Sequence, residues 1–597
     1  MCVAVPRLSL DRPFTYLLEE DSDPAAGTGS LVSVPFHGRT VKGWILGPGS
    51  DLPAGRLMPI RKVRSQVRFF DRPLLRLFEW MRERYIAPLS TIIERTHPPR
   101  VVGEEAAFAD SAPRPGRPAG TKVTEPGPLL PTYGADRLLD AGRVSWLRPL
   151  PAEEAQTCVA AVSACLARGK QAIVLVPEAE PLPATAAAVL DAFADRAVAF
   201  LGGDDRSRYR TWLQILSGQH DVVVGTRPAV FAPVSKLGLI WISREVHTGH
   251  REERAPYYHV RDVAAARAGL ENAAAVLAAL SPSVETLAAC RAGDASVFRA
   301  SRGVEREAAP LVETTPPAAE DRSPRLATLL KNAKSAALVV SRPGYGVARV
   351  CRSCGSQAAC ARCRGQIVME RGSATCRVCS SPALCAVCNS GDFGIERGGV
   401  ERIAEWAGHI GRRPVRRDAG SGAPPGPDEL VVGTAAAVKD FGPLSLDVVA
   451  ILDPDRALAN PGVHAGERAL ATWMEAAAWA GPRRRGGRVL AQTRRPAHRA
   501  IQSLIRWDPV GFLEEEGERR TAAGFPPADP LFRITGDARL PKFLQNAGAG
   551  SLVSTTIGDA TVCLATVPRA DLSPFSQAVR EHAADGIVDR VDAEPQL

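Results

Sequence analysis

Within the 38 residues from Cys351 to Cys388 the chain carries four Cys-x-x-Cys pairs, CRSC, CARC, CRVC and CAVC, which use eight of its thirteen cysteines. A turn of this kind lets two thiolates face one ion at about 2.3 Å, and two turns complete a tetrahedral shell, so four turns provide for two zinc ions. The candidate ligands are Cys351, Cys354, Cys360, Cys363, Cys376, Cys379, Cys385 and Cys388, and spacing alone allows either nested or sequential pairing. Zinc would also supply folding free energy that so short a stretch, poor in large apolar side chains, lacks. A disulfide framework is the poorer reading, because thirteen is odd and MCVAVPRLSL is no basic-then-apolar leader. Redox motifs usually come as a single pair beside a βαβ unit. No nucleophilic triad or carboxylate pair stands out, so no catalytic residue is named. His247 and His250 have metal-like spacing but no acidic neighbour to complete a set, and read as surface or loop histidines.

The elements that must position these residues divide a chain of 597 residues, long enough for three or more domains. A net charge of +9 favours a polyanionic partner, although an alanine- and arginine-rich composition gives the same skew. No apolar run reaches the length that crosses a bilayer, and the expectation is a soluble, cytoplasmic protein without membrane contact. Near the start, LVSVPFHGR and VKGWILG alternate as strands do, and RPLLRLFEWMRERYIAPLSTIIERT has helical spacing. Residues 111–131 have the proline and glycine density of a linker. Apolar runs at 171–178, 197–202, 221–226 and 237–243 alternate with helical stretches, the pattern of a parallel sheet buried on both faces. After a second linker at 306–325, strand-like runs return at 335–341, 429–434, 446–453 and 487–493, with the cysteine cluster inserted among them. DVVVGTRPAV and ELVVGTAAAV echo one another, which suggests two lobes of similar construction.

The order of these pieces resembles the primosomal replication-restart family, PriA or primosomal protein N-prime. The resemblance rests on RPFTYLL, VPFHGR, RGKQAIVLVPE, the run from Leu201 to Pro233, YYHVRDVAAARA, the four cysteine pairs, GGVERIAEW, VVGTAAAVKDF, LDPDRAL, AGERAL and the stretch from Ile501 to Ala528. It implies a multidomain α/β fold. Two RecA-like helicase lobes with parallel sheets would carry an inserted two-zinc module, a small β-rich amino-terminal domain and a carboxy-terminal α+β domain. The expected boundaries are 1–105 for a domain that binds a 3′ DNA end, 106–135 for a proline-rich linker and 136–300 for the first lobe. Then come 301–348 for a linker and the start of the second lobe, 349–390 for the zinc module, 391–510 for the rest of that lobe and 511–597 for the last domain. Residues 106–135 are too short and proline-rich for the family's winged-helix domain.

Family members are ATP-driven helicases, and this sequence departs from their motifs at three places. A phosphate loop needs glycines for backbone approach, lysine for charge and a hydroxyl for Mg²⁺. The family's GSGKT position falls on Pro151 to Ala155, putting Glu153 and Glu154 where a triphosphate should lie, and the lone Gly169-Lys170 precedes Gln171. Where the family has DEEH, the chain has Ser243, Arg244, Glu245, Val246 and His247, so the metal ligand and the water-orienting carboxylate are replaced. Where it has GRAGR, the chain has Ala478, Trp479, Ala480, Gly481 and Pro482, followed by Arg483 to Arg485. The expectation is a helicase-derived protein without ATPase or unwinding activity, as in actinobacterial-type members. The alternative is an active 3′–5′ helicase using non-standard residues.

What survives is binding. The resemblance matches Phe14 and Tyr16 to the aromatic pair that holds a 3′-terminal nucleotide, and His37 and Gly38 to its tight turn. Thr15 stands where the family usually has aspartate, which keeps an acceptor but removes a charge. Without the resemblance, ordinary strand packing is the simpler reading of the aromatics. Arginine clusters at 411–418, 482–488 and 493–499 would together contact phosphates. The family pairs its zinc ligands in nested fashion, here Cys351, Cys354, Cys385 and Cys388 on one ion and Cys360, Cys363, Cys376 and Cys379 on the other. Its implied partners are replication forks, single-stranded DNA, single-stranded DNA-binding protein and primosomal proteins that reload the replicative helicase. A zinc-repeat chaperone is a poor rival, since none of the four pairs continues as CxxCxGxG.

Overall fold

The computed structural model describes the chain apart from residues 19–25, 50–56, 110–128, 318–322, 342–347, 396–398 and 596–597 and positions 355, 357, 364, 366, 371, 372, 377, 378, 380, 419, 421 and 461. Most of the expected linker at 111–131 therefore lies outside the described residues. The chain forms two compact units. One comprises Met1–Arg306, Pro461–Ala471 and Arg506–Leu597, and the other Glu307–Asn460 and Thr472–Ile505.

The first unit is built on seven parallel strands in the order 295–299, 144–148, 274–278, 237–242, 171–175, 222–225 and 197–200. Its apolar runs are buried throughout, as in Gln171–Leu175 and Val222–Gly225, because helices cover both faces. An antiparallel four-stranded sheet at the amino terminus pairs Ser30–Phe36 with Arg39–Trp44 and with Lys62–Arg68. Helix Arg72–Tyr85 follows it. Asp71 caps this helix by accepting the Leu74 N–H at 3.0 Å, and Leu74, Leu77, Phe78, Met81 and Tyr85 bury one helical stripe. A second antiparallel sheet, of strands 551–557, 560–566, 531–536 and 588–593, carries helices Leu540–Asn546 and Leu572–His582. All three parts share one core, in which Phe78, Trp212, Phe231, Phe532 and Phe575 belong to the same apolar cluster.

The second unit holds six parallel strands in the order 311–315, 488–492, 448–452, 336–340, 430–433 and 415–418. The stretch 306–325 is thus more than a linker: it supplies edge strand Leu311–Thr315, paired with Arg488–Gln492. The echo between the lobes has a physical cause. Gly225 and Gly433 each end a strand, and a Cβ there would lie 2.8 Å from the carbonyl oxygen of Phe200 or Asp418 on the neighbouring strand. It would also strike the Cβ of Ala229 at 2.4 Å or of Ala437 at 2.5 Å. Only glycine fits either place. Among the described residues no helix is long and apolar enough to cross a membrane.

Candidate functional site

Three places carry chemistry, and the first is the metal module of the second unit. Antiparallel strand pairs Ala348–Cys351 with Phe393–Ile395 and Ile367–Glu370 with Ser373–Cys376 hold its turns. They gather the thiols as two sets of four, Cys351, Cys354, Cys385 and Cys388, and Cys360, Cys363, Cys376 and Cys379, each with its sulfurs within 4.8 Å of one another. Of the two pairings that spacing allowed, the fold adopts the nested one. Sγ–Sγ separations of 3.4 Å for Cys351 and Cys388, 3.8 Å for Cys354 and Cys385, 3.9 Å for Cys360 and Cys379 and 3.4 Å for Cys363 and Cys376 suit one ion. A tetrahedral ion bonded to sulfur at about 2.3 Å requires sulfurs roughly 3.8 Å apart. The Ser381 N–H and hydroxyl draw the Cys379 thiol down to about 6. The Ser356 hydroxyl, with backbone donors, does the same for Cys385. Both favour the thiolate, the form that ligates.

The second place is the amino-terminal sheet. His37 and Gly38 join its central strands with φ of 46° and 75°, the two positive values a type I′ hairpin turn requires. Phe14 lies edge-on to Phe36 at 5.1 Å, and Phe36 edge-on to His37 at 4.5 Å. The Arg12 guanidinium stands 5.3 Å over the Phe14 ring, and the Tyr16 hydroxyl donates to the Pro35 carbonyl at 2.9 Å. Phe14, Tyr16 and His37 are therefore linked through Phe36 and Pro35. Thr15 and Gly38 are exposed beside them. Phe36 and Arg12 were missed, because alternation puts Phe36 on the face of Val32 and Val34, where it looks like core. A cavity of 840 Å³ opens beside Tyr16, walled by Ile45, Ile60, Phe70 and Leu74 and by Arg68 and Arg72.

The third place is the carboxyl edge of the seven-stranded sheet, where ligands bind in open α/β folds. Strand Val144–Arg148 runs through Pro149–Glu153 into helix Glu154–Ala167. Arg148 is buried and donates to Glu305 at 2.6 Å, to the Leu280 carbonyl at 2.8 Å and to the Trp507 carbonyl at 2.9 Å. Burial pulls its guanidinium down to about 10. Ala152 sits at φ 65°, a conformation more natural to glycine. Tyr133 donates to Glu153 at 3.3 Å while accepting the Leu150 N–H at 3.1 Å. Glu154 occupies the first helical turn, so the chain's own carboxylates lie at the helix end that would attract a phosphate.

On the same edge, Ser243 uses its carbonyl to accept the His250 Nε2–H at 2.7 Å. Arg244, buried at φ 51°, lies 3.5 Å from the Glu178 carboxylate. Glu245 is fully buried, accepts the Ser283 N–H at 2.6 Å and lies 3.5 Å from Arg261. Burial pushes its carboxyl up. His250 is buried too, with its imidazole lowered by burial to about 4, so although it lies in a short turn as expected, the reading of it as a surface residue is corrected. His247 caps a short turn by accepting the Gly249 N–H at 3.0 Å. Between Ala478 and Pro482 no arginine appears. Trp479 is buried, and Arg483 to Arg485 form an exposed turn.

One buried cluster on the first unit was not visible in the sequence. Glu467 accepts the Val284 N–H at 3.0 Å, lies 2.5 Å from His464 Nδ1 and 3.2 Å from Arg520. Glu285 lies 3.5 Å from Arg520 and 3.9 Å from His464. Against burial, which alone would raise it, His464 and Arg520 hold the Glu467 carboxyl below its ordinary range. The three acceptors are close enough for a metal, but the Arg520 guanidinium already supplies the cation.

Two parallel-sheet lobes, an inserted module with two Cys₄ clusters and an aromatic-bearing amino-terminal sheet define a helicase-like, DNA-associated class of protein. A family model described as the 3′ DNA-binding domain (3′BD), of PriA type, matches residues 2–98. The "Probable replication restart protein PriA" of Mycobacterium leprae is 31% identical over 592 residues, covering 90% of this chain and 89% of that protein. Its counterpart in Mycobacterium tuberculosis is 32% identical over 577 residues, covering 90% and 86%. The replication restart protein PriA of Treponema pallidum is 27% identical over 566 residues, covering 88% and 85%. Among solved structures, Saccharomyces cerevisiae Dbp5 bound to RNA and ADP BeF3 is 12% identical with a TM-score of 0.38, covering 71% of this chain and 97% of that one. The chain belongs to the replication restart protein PriA family.

Proposed function

We propose that this chain binds abandoned or stalled replication forks at their 3′ nascent end and promotes reloading of the replicative helicase without hydrolysing ATP. The observation that carries the reading is the match of residues 2–98 to a 3′ DNA-binding domain, within which Phe14, Phe36, Tyr16 and the His37-Gly38 turn form one exposed-edged aromatic group. A base stacked on such a face gains about 1–3 kcal/mol whatever its identity, which suits a fork reader. Thr15 offers the 3′-hydroxyl a neutral acceptor. The two Cys₄ clusters hold zinc in this reading, and the module meets single-stranded DNA or primosomal proteins, single-stranded DNA-binding protein among them.

Inactivity is supported at the sheet edge. Glu153 and Glu154 take the place of a lysine-bearing phosphate loop, and Arg244, paired with Glu178, stands where the water-orienting carboxylate is needed. Phosphoryl transfer is catalysed by positioning and charge stabilisation, and each of these replacements reverses a charge it relies on. The test is a pair of assays on the full chain. Forks with a free 3′ end should bind more tightly than the same forks with the end blocked or absent, and ATP turnover should stay at background with either. Equal binding sinks end capture; DNA-stimulated turnover sinks the inactive motor and favours a helicase with non-standard residues.

A further inference from the structure

We propose that the polar face of the amino-terminal sheet, opposite the aromatic group, is a second nucleic-acid contact that grips sugar-phosphate backbone; the inference rests on the reading that this domain binds forked DNA. Pairing sets Ser33 opposite Lys42 on one neighbouring strand and opposite Lys62 on the other. Directly paired residues point to the same side, so the three form a row, with strands about 4.8 Å apart. Thr40 and Arg64, each two residues along its strand, fall on that side too. Arg64 Nη1 donates to Ser33 Oγ at 3.4 Å, and Arg61 Nη1 donates to Thr40 Oγ1 at 2.5 Å. Arg39, at the hairpin turn, pairs with Phe36 and so faces the aromatic side instead.

The four cations of this face, Lys42, Arg61, Lys62 and Arg64, are exposed, and none has an ion pair among the described residues. Glu94 is the carboxylate whose charge Lys42 feels. Some basic residues nearby are paired, Arg82 with Asp11 at 2.5 Å, Arg100 with Glu105 at 2.5 Å and Arg210 with Glu104 at 2.7 Å, while Arg7, Arg72, Arg76 and Arg95 are exposed without an ion pair among the described residues but lie outside the row. Lys42, Lys62 and Arg64, with Arg61 reaching the row through Thr40, put four like charges on one small face against the single carboxylate of Glu94, and the positive potential they raise is one an anion relieves. The exposed Thr40 hydroxyl adds a neutral donor of the kind that contacts phosphate, while Ser33 beneath the row is buried and accepts from Arg64. The domain's exposed large apolar side chains, Leu17, Leu18 and Met58, lie outside the row, so the face lacks the apolar anchor of a protein interface or a membrane surface.

The test replaces three of these cations by glutamine in Lys42→Gln/Lys62→Gln/Arg64→Gln and measures fork binding by the full-length protein over a range of salt. Each lost phosphate contact lowers the slope of log K against log salt by about 0.9 on duplex DNA, so the slope should fall by roughly 2 to 3. The ratio between forks with free and blocked 3′ ends should not change. The charge-conserving Lys42→Arg/Lys62→Arg/Arg64→Lys should keep the wild-type slope. An unchanged slope in the glutamine variant would mark the face as merely solvated, and loss of the end ratio at constant slope would assign the residues to the aromatic site; either overturns the proposal. If the wild type shows no end preference, the end-capture reading falls while the slope comparison still decides this one.

Discussion

The amino-terminal sheet and the carboxyl edge of the seven-stranded sheet are both dense in charge, and they dispose of it in opposite ways. At the sheet edge the buried charges are held from within: Arg148 by Glu305, Arg244 by Glu178, Glu245 by Ser283 and Arg261, and Glu467 by Arg520. On the amino-terminal sheet Lys42, Arg61, Lys62 and Arg64 face solvent, with Glu94 beside Lys42 as the carboxylate in reach. A charge satisfied from within the fold contributes to stability and has nothing left for a ligand, whereas an unsatisfied one can do little until a ligand arrives. The metal module shows a third arrangement, in which two sets of four thiols are gathered closely enough to share an ion each.

That contrast can be broken at several points. The largest effect belongs to the metal module, where structural zinc sites hold apparent free energies of about 10–16 kcal/mol. A strong chelator should release close to two zinc ions per chain and open residues 349–390 to protease while the first unit keeps its unfolding transition. Release of no zinc would remove the metal assignment. Next comes the paired edge: Glu467→Ala removes one of three carboxylates around buried Arg520 and leaves the Val284 N–H without its acceptor, and should destabilise the first unit by about 1–3 kcal/mol, read by urea unfolding. An effect near zero would mean the cluster is not a stabilising one.

Acid should loosen the same edge in two stages. His250 is lowered from 6.5 to about 4 in the folded state, so its neutral form is favoured there and its contribution is complete above pH 6.5. That contribution, about 3 kcal/mol, is lost as pH falls from 6.5 towards 4. Glu467, held below its unfolded value of 4.5, stabilises above that pH and loses its share as pH falls further. Stability flat between pH 7 and 5 would contradict the burial of His250. The smallest expected change is in the unpaired region, where Phe14→Ala should weaken binding of forks with a free 3′ end by about 1–3 kcal/mol and leave blunt duplex binding alone. Equal loss on both substrates would assign Phe14 to packing.

Much of the scaffold was legible beforehand, because strands buried on both faces must be continuously apolar. The runs at 171–178, 221–226, 237–243, 335–341, 429–434, 446–453 and 487–493 all became strands of the two parallel sheets. Edge strands were harder. Leu311–Thr315 and Val415–Asp418 are half-exposed and carry charge, so LVETT passed for linker and VRRD for a basic surface run. Ala274–Ala278 hid for another reason, its alanines being equally at home in a helix.

The metal-binding capacity and the missing phosphate loop needed only the sequence, since ligand type, spacing and the requirement for glycine and lysine are local properties of the chain. Nested rather than sequential grouping of the eight cysteines, the Phe36 bridge between Phe14 and His37, the burial of His250 and the Glu467–Arg520 pair needed the fold. Each joins residues that no local pattern links, and whether a charge is spent inside the molecule or left for a partner depends on which neighbours packing brings to it.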